Sequence, residues 1–236
     1  MADIDFFQVL VRWQAGGLSL ADGADRYAAT MRAVASAWPD CAVWTLGRSA
    51  ASAVEAADPE LPNRLIPRLR AARDRRRYVD SDSLGDADLA LMPTPFNSVS
   101  VSLTHDNPTP RVGQVQVRFE AAAAARLVED PDTVRDLLRT LAGVWDAALG
   151  FVDLRVLKQY QPFGHDWRPF FGWATWLAKD LATVEPEVAS ATVTDAGAGQ
   201  LIVMHDPPTD ISRESIDDLV ARTRLADGTP LREVPG

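Results

Sequence analysis

The chain has 236 residues, of which 47% are hydrophobic and 24% charged, and its net charge is −9. This length can bury a sizeable core. The acidic balance argues against nucleic-acid binding, which needs a basic surface to displace counterions from phosphates, and it suits a partner that is itself basic.

Along the chain, 5–14 reads as a first strand centred on FFQVLVRW, and Gly16-Gly17 ends it. Ser19 is set as an N-cap, and Leu20, Ala24, Tyr27, Met31, Val34 and Trp38 recur at steps of three and four, so one helix face is buried until Pro39. A short strand is expected over 42–46. A second helix is expected over 61–78, with Leu61, Leu65, Ile66, Leu69 and Ala72 on one side and arginines on the other. The segment 79–95, with Asp80, Asp82, Asp86 and Asp88, reads as a long exposed loop.

Val99, Val101 and Leu103 alternate with serines, and Val115, Val117 and Phe119 alternate with polar residues. The turn-rich link HDNPTPR makes these a hairpin with one wet face. Asp130-Pro131 opens a helix with the stripe Val134, Leu137, Leu138, Leu141, Val144, Trp145 and Ala148, which Gly150 is expected to close. A strand is expected over 151–160. After an aromatic segment, a hairpin is expected over 189–194 and 200–205, and Ser212 caps a last helix. The element order resembles a split β-α-β plan with an appended strand-strand-helix unit. The expected class is therefore α+β, a mixed or antiparallel sheet with helices on one face. One domain spans 1–236, with a sub-boundary near 150.

Seven of the eighteen aromatic residues lie between Tyr160 and Leu177, in YQPFGHDWRPFFGWATWL. Pro162, Gly164 and Pro169 break the run, and a membrane helix needs about 20 mostly apolar residues. The segment suits a core plug and a binding surface alike.

Each of the three histidines precedes an aspartate: His105-Asp106, His165-Asp166 and His205-Asp206. Imidazole with carboxylate suits a metal or acid-base chemistry, but aspartate after a strand is also a common turn former. No metal site and no cofactor are expected. The arginines of 64–77 are nearly balanced by acids as far as Asp88, so a solvated face explains them better than a phosphate grip. Ser49, in Gly47-Arg-Ser-Ala-Ala, lacks the second glycine of a nucleophile elbow. Gly197-Ala-Gly199 precedes a strand instead of following one, so it is no dinucleotide fingerprint. Cys41 is the sole cysteine, which excludes an internal disulfide and suits a reducing compartment. The first residues carry acids where a signal peptide would be basic, so the expected location is cytoplasmic.

Two regions together resemble the immunity protein 52 family of bacterial polymorphic toxin systems. One is the opening unit: a strand ending VRW, a glycine break, a long helix, a Pro39-Asp40 stop, then Trp44 and Gly47-Arg-Ser. The other is Gly172-Trp173-Ala-Thr-Trp176-Leu177, with Gly199-Gln-Leu-Ile-Val after a spacer. The N-terminal turn Gln14-Ala-Gly-Gly departs from the more polar turn of that pattern. The resemblance implies an α+β protein that binds and blocks a cognate secreted toxin, often a restriction-endonuclease-like nuclease, without doing chemistry. The expected partner surface is Asp80, Asp82, Asp86, Asp88, Phe163, Trp167, Arg168 and Phe170. The expected structural motif is Trp13, Trp44, Gly172, Trp173 and Trp176. The rival expectation, from another class, is a small metal-dependent hydrolase using the His-Asp pairs.

Overall fold

A computed structural model describes residues 6–14, 18–46, 52–75, 84, 88–93, 98–104, 112–120, 122–154, 157 and 169–231. In chain order the strands and helices are β1 (Phe6–Gln14), α1 (Leu20–Ala37), β2 (Val43–Thr45), β3 (Ala53–Glu55), α2 (Leu61–Asp74), β4 (Asp88–Pro93), β5 (Val99–Thr104) and β6 (Val112–Glu120). Then come α3 (Ala122–Glu129), α4 (Pro131–Val144), β7 (Leu149–Leu154), β8 (Ala174–Ala178), β9 (Ala182–Val184), β10 (Ala191–Ala196), β11 (Gly199–Met204), α5 (Arg213–Ala221) and β12 (Thr223–Leu225). Among the described residues, ten strands form one antiparallel sheet in the order β10-β11-β8-β7-β1-β6-β5-β4-β2-β3, and β12 pairs with β9 apart from it.

The centre of this sheet is the split β-α-β plan. Strands β6 and β7 are joined through α3 and α4, and both run antiparallel to β1, which lies between them. They are therefore parallel to each other, with one strand inserted. The rest of the sheet extends this core at both ends.

One face of the centre is apolar and carries the helices. Phe7 and Phe119 are cross-strand partners whose rings stack at 4.5 Å, and Trp38 at the end of α1 packs on Phe119 at 4.2 Å. Trp145, just past α4, stacks on Trp13 at 4.2 Å and donates its indole N–H to Thr30 of α1. Tyr27 donates its hydroxyl to the Val101 carbonyl at 2.7 Å, locking α1 over β5. The sequence dictates this face directly, since every second residue of β1, β5 and β6 on it is apolar, and all but Gly113, which lies under Trp13, are bulky.

Several boundaries differ from expectation. Helix α2 stops at Asp74, and residues 76–78 lie outside the described residues. The expected loop 79–95 contains β4, which pairs with both β5 and β2, and the fully buried Leu84, whose N–H donates to Leu18 O. Leu84 itself is held to the body by its buried apolar side chain. Helix α4 ends at Val144, not Gly150. Asp146 turns the chain there at φ 47, in the left-handed region. Gly150 sits within β7, where a Cβ would come 2.9 Å from Val11 and 3.0 Å from Leu138. The expected strand 151–160 is β7, displaced to Leu149–Leu154.

Candidate functional site

The aromatic segment enters the described residues at Pro169, and from there it is core. Phe170 is 6% exposed and its ring lies 4.7 Å from Phe151 of β7. Its expected place at a partner surface is thus corrected: the side chain is buried, with its ring tilted against Phe151. Phe171, Trp173 and Trp176 are buried as well. Gly172 is required by a close approach, because a Cβ would stand 2.2 Å from the Val152 carbonyl oxygen. The Gly172 N–H meets Thr175 Oγ1 at 2.9 Å, and the Trp173 N–H meets Val152 O at 3.1 Å, so the chain is pinned to β7 as it enters β8. Trp176 donates to Ala147 O at 3.0 Å, and a Cβ at Gly199 would stand 2.6 Å from the Trp176 ring. The two stretches Gly172–Leu177 and Gly199–Val203 therefore form one packing unit, paired strand to strand.

Trp13 and Trp44 are also core residues. The Trp13 ring covers Gly113, where a Cβ would collide at 2.0 Å. Trp44 is fully buried on β2. Asp88 starts β4 opposite Thr104. Asp80, Asp82, Asp86, Phe163, Trp167 and Arg168 lie outside the described residues, as do Ser49, His105, Asp106, His165 and Asp166. Between Asp82 and Asp86 in sequence, the described Leu84 packs against Gly23 of α1. The exposed Asp22 and Asp25 lie on that same end of α1.

The remaining His-Asp pair is divided between two structural tasks. His205 bonds through Nδ1 to the Ala189 carbonyl and through Nε2 to Thr192 Oγ1, both at 3.0 Å. Asp206 accepts from Ser215 Oγ at 2.6 Å and from the Ser212 N–H and hydroxyl at 3.0 Å, so it braces the cap of α5. The Ser215 hydrogen bond, first, and those from Ser212 hold its carboxyl below the usual range. Among the described residues no group of three or more His, Cys, Asp or Glu is placed to hold a metal ion. Burial first, then Asp40, pushes the Cys41 thiol up to about 12, so it stays protonated and unreactive at neutral pH.

The sheet also carries a polar row that sequence reasoning missed. On the face opposite the stacked phenylalanines, Gln8 Nε2 donates to Asp153 Oδ2 at 2.5 Å, and Gln116 Nε2 donates to Gln8 Oε1 at 2.8 Å. Arg12 Nε donates to Gln114 Oε1 at 3.1 Å, and burial lowers the Arg12 pKa. Asp153 is fully buried on β7. The signal for it was present: a lone carboxylate in the apolar run FVDL, with a glutamine at the matching phase of the first strand.

No family model and no curated protein matches the chain. Among solved structures it is similar to the Pseudomonas aeruginosa T6SS protein PA0821, with a TM-score of 0.50 and 8% sequence identity. That likeness covers 98% of this chain and 76% of the other, and at this identity it speaks for the fold.

Proposed function

We propose that the protein is a non-catalytic, cytoplasmic immunity protein that binds a cognate secreted polymorphic toxin, a nuclease, and neutralises it by stoichiometric occlusion. One observation carries the proposal. The two glycine-led stretches behind the immunity-family resemblance pack as a single unit, within a fold similar over 98% of the chain to a T6SS protein. The net charge of −9 supports the same reading, because an inhibitor of a nuclease gains by presenting carboxylates where phosphates would sit. The proposed contact residues are Asp80, Asp82, Asp86 and Asp88 with Phe163, Trp167 and Arg168. The chain acts as one domain and needs no cofactor. The hydrolase alternative loses support at His205 and Asp206, each occupied with holding a turn or a cap.

Co-expression with the product of the adjacent gene tests the proposal. The expected result is an equimolar complex that survives gel filtration and abolishes the toxin's activity. A chain that fails to associate with the toxin while toxicity persists would overturn it.

A further inference from the structure

The ten-stranded sheet ends in two unlike edges. At one end β3 has only three residues, and shortness is itself a protection against pairing. At the other end β10 has six residues, ATVTDA, with neither proline nor lysine. Its single charged side chain, Asp195, is turned to Lys179 at 2.7 Å. The phase of its backbone is set by one bond. The His205 N–H donates to Ser190 O at 2.9 Å, in the register Ala191↔Met204. Antiparallel pairing then directs both backbone groups of Thr192 and Thr194 to β11, and those of Ala191, Val193 and Asp195 outward. Among the described residues, nothing hydrogen-bonds to that outer row.

The charge of the segment that carries β10 selects the partner. Residues 174–236 hold eleven acidic and five basic residues, so this quarter of the chain carries six of its nine net negative charges. A second copy would bring like charge against like charge. We infer that the open edge of β10 accepts an extended, lysine- or arginine-bearing strand of a partner protein by strand addition. The ladder would supply affinity and the acidic balance of this segment the choice of sign. This deepens the toxin-binding reading, on which the identity of the natural partner rests, but a synthetic probe tests it without that partner.

The probe is a short peptide alternating valine and lysine, N-methylated along one edge so that it cannot pair with itself. Val193→Pro removes an outward N–H and leaves the β11 ladder whole, a substitution that edge strands tolerate. The expected result is slowed amide exchange at Val193 and Asp195 when the peptide binds. Affinity should fall about tenfold in Val193→Pro, roughly the loss of one hydrogen bond with added steric conflict. Thr194→Lys, which alters only an exposed side chain, should weaken binding too, and a glutamate-for-lysine peptide should bind far more weakly. Equal affinity for the parent and both variants, or protection away from β10, would overturn the inference. So would a dimer that Val193→Pro dissociates, since the occupant would then be a second copy. A natural toxin complex indifferent to Val193→Pro would remove strand addition and leave the immunity reading standing.

Discussion

Trp176 and Trp44 are both buried, but their indole N–H groups differ. Trp176 donates to Ala147 O, whereas Trp44 has no acceptor among the described residues. Trp176→Phe should therefore cost about 1–2 kcal/mol more than Trp44→Phe in denaturant unfolding, because only the first strands a carbonyl. Equal losses would contradict the assignment. Gly172→Ala drives a methyl into the Val152 carbonyl, and backbone cannot swing aside as a side chain can. A loss of about 3 kcal/mol is expected, at the upper end of overpacking costs. At Asp206 the effect depends on pH. Its folded pKa is depressed, so the stability it supplies is present above the unfolded value of about 3.9 and is lost as pH falls through the folded value. Ser215→Ala removes the first cause of that depression. The parent's advantage over the variant should be full at neutral pH and shrink on acidification; an advantage that grows below about pH 4, the unfolded carboxylate value, would refute the role given to Asp206.

Helix α1 begins where Ser19 Oγ accepts the Asp22 N–H at 3.0 Å. Ser19→Ala should lower stability by about 1 kcal/mol in thermal or denaturant unfolding, the usual cost of a lost cap. Caps and spacing are why α1, α4 and α5 could be read from sequence, and strict alternation is why β5 and β6 could. The elements that were missed lack those signals. Strand β8, ATWLA, is buried at all five positions, so no period of two survives inside the aromatic run. Helix α3 opens on a row of alanines that marks no face, and β4 is preceded by acids that suggest a loop. Gly150 resembled a helix stop because glycine commonly ends helices, yet it is glycine so that Val11 and Leu138 can close over β7. The polar row was hidden differently. Gln8 and Asp153 are distant in sequence, and only the β1–β7 register brings them opposite each other.

At the scale of the molecule, the proposed toxin binding predicts that charge governs the approach of the partner and aromatic burial how long it stays. Carboxylates steer a cationic partner over a Debye length of about 8 Å in physiological salt. Replacing Asp80, Asp82, Asp86 and Asp88 with asparagine should slow association and flatten its salt dependence without changing unfolding, whereas Trp167→Ala should mainly speed dissociation. Stopped-flow association and surface-capture dissociation separate the two effects. If both variants protect toxin-exposed cells as well as the parent does at limiting expression, the binding surface lies elsewhere. The central claim is inhibition by occupancy, without turnover. Its most direct test is to titrate this protein into a fixed concentration of the neighbouring toxin and measure residual toxin activity. Occupancy predicts a linear fall to an end point at one protein per toxin, unchanged by longer incubation. Complete inactivation by a small fraction of an equivalent, deepening with time, would make the protein an enzyme and contradict that claim.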